Sequence, residues 1–266
     1  MLVFIIPIKS SKVAKSWSDL CAYFERTLRS VCNQTSSTFH VIVVCNEKPS
    51  INFHHPQVTY LEVDIPIPEP NYTSKMEDRA KKVAIGLLAA QDFQPTHIMP
   101  VDADDCISNQ LAAFVNQNQQ DNGWYMESGY EYEEGSRKII VKKENFYKVC
   151  GTCKIINYRL LTMPEKTLDY DRLMGYDRFL SGHPLAKGDL AERGTPIQPL
   201  PFMGTIYIRD MIGESVSLQE PFLAKLKRNP KEAFRGIKKL VLAPFQEKEI
   251  TEEMRREFNF YPLPPQ

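Results

Sequence analysis

Three aspartates directly follow an apolar segment near the middle of the chain. Residues 97–101 are mostly apolar, and Asp102, Asp104 and Asp105 come immediately after them. Carboxylates are not core filling, because burying a charge without a partner is energetically costly. Asp102 and Asp104 are two positions apart, so on an extended turn they project to one side and can share a divalent cation.

A divalent cation held by two carboxylates completes its coordination shell with water and with phosphate oxygens of a substrate. The aspartate pair therefore predicts Mn²⁺ or Mg²⁺ as the cofactor and a diphosphate as the ligand. The alternative interpretation is structural: a turn at the end of a strand, in which an aspartate caps a helix near Ser108. The place of these aspartates at the end of an α/β half favours the metal.

The first third of the chain alternates between strand and helix patterns. Continuous apolar runs rich in β-branched residues predict strands that are buried on both faces. Between them, apolar residues at helical spacing predict amphipathic helices. The predicted strands are 2–8, 39–45, 57–64 and 97–101, and the predicted helices run from about 16 to 32 and from Ser74. This β-α-β-β-α-β order predicts a mainly parallel sheet with helices on both faces.

Polar residues mark the starts of both helices. Ser16 and Asp19 are expected to cap the first helix, and Ser74 with Glu77 forms a capping box for the second. The charged residues expected on the surface of the second helix are Asp78, Arg79, Lys81 and Lys82.

Ligands of such sheets bind beyond the carboxyl ends of the strands. Three polar residues fall at these ends: Lys9, Asn46 and Asp102.

The second half of the chain is less regular. Alternating patterns over 123–149 predict antiparallel strands and a hairpin, and 203–209 predicts a further strand. The stretch 222–240 is basic and amphipathic, and a helix is expected to run to about Phe258. The predicted organisation is a main domain over 1–219, with halves 1–107 and 108–219, followed by a helical C-terminal extension over 220–266.

Composition excludes several classes of protein. The 33 basic and 33 acidic residues cancel, so nucleic acid is not an expected partner. No apolar stretch approaches the roughly 20 residues of a spanning helix, and no signal peptide is recognised, so the predicted localisation is cytoplasmic. The stretch 222–240 is a candidate for peripheral contact with the inner face of a membrane. The alternative is a solvated helix packed on the domain. The six cysteines are expected to be reduced.

Several segments, in the same order along the chain, resemble the inverting glycosyltransferases of family two, which have the GT-A fold. The segments are Ile6-Pro7-Ile8, FERTLRSVCNQT at 24–35, VIVV at 41–44, VDADD at 101–105, 182–194 with its LAERG run, and Tyr207-Ile208-Arg209-Asp210 with Ser215 and Ser217. The resemblance covers roughly residues 2–217. It implies an α/β fold of the GT-A type, with 1–107 as the nucleotide-sugar-binding half and 108–219 as the acceptor-binding half.

The resemblance also implies roles for individual residues. Pro7 and its neighbourhood, including Lys9, would contact the nucleoside, and Arg79 with Lys82 would lie near the nucleotide. Asp102, Ala103 and Asp104 would bind the nucleotide sugar, with Asp102 and Asp104 holding the metal. Asp210 falls where the family often has a histidine near the metal, as a third ligand or a neighbour of one. These assignments are expectations carried over from the family.

Two positions depart from the family pattern. The aspartate that usually reads uracil after the second strand is replaced here by Asn46. At the position of the catalytic base, the chain has His183 in place of aspartate, and a histidine titrates near neutrality. Asp189 and Asp177 are the alternatives for the base. Which nucleotide is bound and which residue is the base therefore stay open.

The implied activity is transfer of a sugar, as in hexosyltransferases, from a nucleotide-diphosphate sugar to a hydroxyl of a saccharide or lipid-linked acceptor. Transfer would be a single displacement with inversion. One alternative is a nucleotidyltransferase of similar fold, although the segment after Pro7, IKSSK, lacks the glycine-rich phosphate loop of that class. The other is a non-catalytic relative that binds a nucleotide sugar.

Overall fold

The computed structural model describes residues 1–161, 185–209 and 247–263. The strands are β1 Leu2–Pro7, β2 Phe39–Cys45, β3 Val58–Glu62, β4 His97–Pro100, β5 Cys106–Ile107, β6 Gly123–Tyr125, β7 Gly129–Glu133, β8 Lys138–Lys142, β9 Lys154–Asn157, β10 Gln198–Pro199, β11 Thr205–Arg209 and β12 Glu247–Glu249. The helices are α1 Trp17–Val31, α2 Tyr72–Ala90, α3 Leu111–Gln117, α4 Leu185–Glu192 and α5 Glu252–Phe258.

A seven-stranded sheet in the order β10-β6-β9-β4-β1-β2-β3 lies at the centre of the fold. Its strands β1 to β4 are parallel, as predicted, and β1 is buried along its whole length. Alternate residues of β1 face opposite layers: Phe4 packs towards α1 and α3, whereas Ile5 packs towards α2 and α4. The fold class is therefore α/β, with a mainly parallel central sheet flanked by helices on both faces.

The start of α1 agrees with the prediction, and the start of α2 does not. The hydroxyl of Ser16 accepts a hydrogen bond from the backbone N–H of Asp19. In α2 the cap is Asn71, whose side chain accepts from Ser74 N, so the predicted capping box of Ser74 and Glu77 is wrong. The helix begins at Tyr72, two residues earlier than predicted, because Asn71 satisfies a free N–H group of its first turn.

The prediction that all charged residues of α2 lie on the surface is also wrong. Asp78 is 6% exposed and Lys82 is fully buried. Burial of these two charges is possible because they pair with each other at 2.8 Å. The ammonium group of Lys82 also contacts the segment that follows β1, through the carbonyl of Ile8.

A second sheet of five strands has the order β12-β8-β7-β11-β5. The predicted hairpin is β7 with β8, which are antiparallel, whereas β6 joins the central sheet. The predicted strand at 203–209 is β11, which is parallel to β7 and antiparallel to β5. Since β5 follows the aspartates directly, the second sheet begins at the candidate site.

Residues 247–263 lie within the predicted C-terminal extension and pack on the second sheet. β12 pairs with β8 in antiparallel register. Phe258 and Phe260 are buried in a cluster with residues of β5, β7, β8 and β11. The stretch 222–240 lies outside the described residues. No described helix combines the length and apolar composition that a membrane span requires.

Candidate functional site

Arg79 and Asp102 form an ion pair at the carboxyl end of β4. Nε of Arg79 donates to Asp102 Oδ1 at 2.7 Å, and Nη2 lies 2.6 Å from the same oxygen. The side chains remain 23% and 27% exposed, so the pair is reachable from solvent. Burial alone would lower the pKa of Arg79, but the Asp102 carboxylate outweighs burial and the pKa is raised.

The loop between β8 and β9 contacts the backbone of Asp102 and the second oxygen of its carboxylate. Its backbone N–H donates to Thr152 Oγ1 at 2.9 Å. Gly151 packs against its side chain so closely that an added Cβ would lie 2.0 Å from Asp102 Oδ2. Any side chain at position 151 would therefore displace the carboxylate. The sequence did not single out Gly151 or Thr152, because nothing in their local pattern signals a contact with residue 102.

Asp105 has a structural environment that differs from that of its neighbours. It is fully buried, its Oδ1 accepts from Ile208 N at 3.1 Å, and its Oδ2 accepts from Cys150 Sγ at 3.5 Å. Burial raises the pKa of Asp105 well above its usual range, and the charges of Asp104 and Asp102 raise it further. Asp105 therefore joins β5 to β11 and does not open towards a ligand.

Asp104 is half-buried beside Asp105, and Tyr207 lies near both. Burial raises the pKa of Tyr207, with further increases from Asp105 and Asp104. Tyr207 is thus a neutral hydroxyl next to a group of carboxylates. Ala103, between the aspartates, packs on the core. The turn therefore leaves Asp104 and Asp102 as the carboxylates that can reach a ligand.

The carboxyl end of β1 is held by the buried ion pair of α2. Lys82 Nζ donates to the carbonyl of Ile8 at 2.7 Å and to Asp78 Oδ2 at 2.8 Å. Pro7 is buried and pairs in register with Val44 of β2, and Lys9 follows as a half-buried residue. Lys82 thus lies beneath the predicted nucleoside-binding segment. Its fully buried ammonium group acts on that segment through the carbonyl of Ile8.

Asn46 follows β2, and the nitrogen of its side-chain amide is already hydrogen-bonded. Its Nδ2 donates to the carbonyls of Ile65 at 3.1 Å and Val63 at 3.4 Å. Its Oδ1 is buried and has no hydrogen-bond partner among the described residues. A buried acceptor without a partner is costly, so a donor that reached Asn46 Oδ1 would be favoured.

The predicted base and third metal ligand are only partly described. His183, Asp177 and Asp210 lie outside the described residues. Asp189 is on α4, where its Oδ2 pairs with Arg193 Nη2 at 2.6 Å. Among the predicted site residues, the structure brings Arg79 into contact with Asp102. Lys82 contacts Ile8, the residue before Lys9. The structure places Asp189 in an ion pair with Arg193, the residue that follows α4.

The carboxylates offer a cation only an incomplete set of ligands in this arrangement. Oδ1 of Asp102 is taken by Arg79, and Asp105 is enclosed. Within residues 1–161, 185–209 and 247–263, no three His, Cys, Asp or Glu side chains are grouped to hold a metal ion. A cation on Asp102 and Asp104 fits only if Arg79 leaves Asp102 and other oxygens complete the shell.

No protein-family model matches the chain, and no curated protein sequence matches it. Among solved structures, S. aureus TarS 1–349 is similar over 78% of this chain and 60% of that chain, at 15% identity and a TM-score of 0.41. TarS 1–349 in complex with UDP-GlcNAc matches over 96% and 69%, at 15% identity and a TM-score of 0.39. The 2-C-methyl-D-erythritol 4-phosphate cytidylyltransferase of Francisella tularensis matches over 87% and 99%, at 13% identity and a TM-score of 0.41.

Proposed function

We propose that the chain is a glycosyltransferase that moves a sugar from a nucleotide-diphosphate donor to an acceptor hydroxyl, with inversion. The observation that carries the proposal is the group formed by Arg79, Asp102 and Asp104 at the carboxyl edge of the parallel sheet. In α/β sheets this edge is where ligands bind. A guanidinium beside carboxylates suits a diphosphate, because Arg recognises phosphate oxygens in a bidentate manner.

Asn46 is the proposed reader of the nucleobase. Its Nδ2 is bonded to two backbone carbonyls, whereas its Oδ1 has no hydrogen-bond partner among the described residues. That oxygen accepts, so the base must present an N–H group to it. Pro7 and Lys9 lie on the neighbouring strand end, where the nucleoside would contact them.

Mn²⁺ or Mg²⁺ is the proposed cofactor, held by Asp104 and Asp102, with Asp210 as a third ligand or a neighbour. When bound, the cation would neutralise the charge that develops on the leaving diphosphate. Arg79 would bind the same phosphate oxygens, and Tyr207 would supply a neutral hydroxyl at the edge of the group. Ala103 would let the donor approach the backbone of the turn.

The acceptor half is proposed from residues beyond this group. His183 is the proposed base that takes the proton from the acceptor hydroxyl, and Asp189 is the alternative. Asp189 would first have to leave Arg193. A saccharide or a lipid-linked sugar is the proposed acceptor, with the stretch 222–240 as the proposed peripheral contact of a cytoplasmic protein with a membrane.

Binding is tested by thermal unfolding with UDP, GDP, ADP or CDP, each with and without Mn²⁺. One nucleotide at about 100 times its Kd should raise the Tm by roughly 5 to 10 °C, and only with the metal present. Asp104→Asn should abolish the shift. The matched control is Asp92→Asn, an exposed residue with the same change of charge, which should retain it.

Chemistry is tested in the same proteins with a panel of nucleotide sugars. Release of the nucleoside diphosphate that depends on Asp104 supports glycosyl transfer. Release of pyrophosphate from a nucleoside triphosphate would support nucleotidyl transfer instead. Absence of any metal-dependent shift with all four nucleotides would refute the donor site itself.

A further inference from the structure

Arg79 occupies the position on Asp102 that the proposed cation needs. Two nitrogens of one guanidinium bind the same carboxylate oxygen, at 2.7 and 2.6 Å. The other oxygen, Oδ2, lies against Gly151. Thr152 holds the backbone of Asp102, and the carboxylate lies between Arg79 on one side and Gly151 on the other. The cation and Arg79 therefore compete for Oδ1.

A diphosphate removes this competition. Its oxygens accept two N–H groups of a guanidinium in parallel, and they carry more charge than one carboxylate. Arg79 lies on α2 at the edge of the site with 23% of its side chain exposed, so a ligand can reach it. A phosphate that binds Arg79 leaves Oδ1 of Asp102 without its partner.

We infer that donor binding exchanges ion-pair partners: Arg79 passes from Asp102 to the diphosphate, and Asp102 passes from Arg79 to the divalent cation. The inference rests on the proposed function and adds to it the regulation of the same site. Cation and nucleotide then bind cooperatively, because each removes the group that blocks the other. Alone, the cation must displace a guanidinium, and the nucleotide must compete with Asp102 for Arg79.

Coupling of this kind is reciprocal, so it can be tested from both sides. Binding of Mn²⁺ alone is followed by the electron paramagnetic resonance signal of the free ion. Arg79→Gln should bind Mn²⁺ at least tenfold more tightly than the wild-type protein, because Oδ1 of Asp102 is free. Lys81→Gln removes the same charge from the same helix and gives the effect of charge at a distance.

The reciprocal effect is tested by calorimetry of UDP binding in the presence of EDTA. Asp102→Asn should bind metal-free UDP several-fold more tightly than the wild-type protein, because Arg79 no longer has a carboxylate partner. Asp92→Asn is the control for charge. If UDP does not raise the Tm, the nucleoside diphosphate that does so is used as the probe.

The outcomes separate the inference from the proposed function. Tighter binding in both variants than in their charge controls supports the exchange. If the wild-type protein binds UDP and Mn²⁺ but Arg79→Gln binds Mn²⁺ no more tightly than Lys81→Gln, the exchange is wrong and the proposed function stands. If the wild-type protein binds no nucleotide with or without metal, both are wrong. Should Arg79→Gln fail to fold by circular dichroism, the Asp102→Asn result decides.

Discussion

Thr152 connects three segments around the aspartate turn. Its hydroxyl accepts from Asp102 N at 2.9 Å and also bonds the carboxyl group of Asp105. Its carbonyl accepts from Thr205 Oγ1 of β11 at 2.9 Å. A single fully buried hydroxyl thus holds both ends of the turn that presents Asp104. We expect Thr152 to be a positioning residue for the candidate site.

Thr152→Val should lower the free energy of unfolding by about 1–3 kcal/mol, because Asp102 N and Asp105 each lose a buried partner. Thr152→Val should also weaken nucleotide binding, measured by calorimetry, whereas Thr152→Ser keeps the hydroxyl and should bind the nucleotide as the wild-type protein does. Thr27→Val is the contrasting control: Thr27 is also fully buried, but its hydroxyl has no partner among the described residues, so its loss should be neutral or stabilising. Equal losses of stability in the two valine variants would contradict this account of Thr152.

For individual residues, the sequence predicts those candidate site residues whose type and local spacing suggest ligand binding. Asp102 and Asp104 are predicted as site residues because they are carboxylates two positions apart at a strand end. Thr152 is missed because its partner is 50 positions away and no local pattern marks it. Asn46 is identified by its place after β2, whereas the commitment of its Nδ2 to Val63 and Ile65 depends on the folded loop.

The position of α2 on the sheet sets the position of Arg79. Gly86 lies where α2 crosses β1, and an added Cβ would come within 2.5 Å of Ile5 Cγ2. The helix can approach the strand this closely because residue 86 has no side chain. About two turns earlier on the same helix, Arg79 reaches Asp102.

Gly86→Ala should lower the free energy of unfolding by about 1–3 kcal/mol, because Ile5 or the whole helix must shift. Gly188→Ala in α4 is the matched control, since nothing lies within 4 Å of an added Cβ there. That change should raise the free energy of unfolding by about 0.5–1 kcal/mol through helix propensity alone. Urea unfolding of the two variants measures both effects. A stabilised Gly86→Ala protein would show that the contact with Ile5 relaxes without cost.

Elements that are buried on both faces are the ones that the sequence predicts well. β2 has the predicted bounds, 39–45, because a strand covered on both sides needs a continuous apolar run. The start of α2 is misplaced because Asn71 and Ser74 are both acceptable caps, and local sequence does not choose between them. The burial of Lys82 depends on the segment after β1, which the helical pattern does not contain.

The end of the described chain is bonded to the main domain through Arg26. This fully buried residue of α1 donates from Nη1 to Glu134 Oε2 at 2.8 Å and to the carbonyl of Tyr261 at 3.1 Å. Glu134 Oε1 in turn accepts from Leu263 N at 3.0 Å. The predicted boundary at residue 220 follows a change in composition. It does not anticipate contacts between residues 235 positions apart.

Global stability should depend on pH through His97, which lies in β4 and is fully buried. Its Nε2 donates to the carbonyl of Asp121 at 3.0 Å, and its ring stacks on Trp124. Its Nδ1 is buried and has no partner among the described residues. Burial is the largest cause that lowers the pKa of His97 from 6.5 to about 4. Only the unfolded chain binds a proton here between those values, so His97 contributes stability above pH 6.5 that is lost as the pH falls towards 4.

Between pH 7 and pH 5, the wild-type protein should therefore lose about 2 kcal/mol of unfolding free energy relative to His97→Gln, which cannot take up the proton. Urea unfolding of both proteins at the two pH values measures the difference. Asp105 and Asp78, whose pKa values are raised by burial, act in the opposite direction, but they are common to both proteins and cancel. The exposed His54→Gln variant is the control and should follow the wild-type protein. If the two curves for wild type and His97→Gln are parallel, a proton reaches the ring of His97 in the folded state, and β4 is less enclosed than its packing indicates.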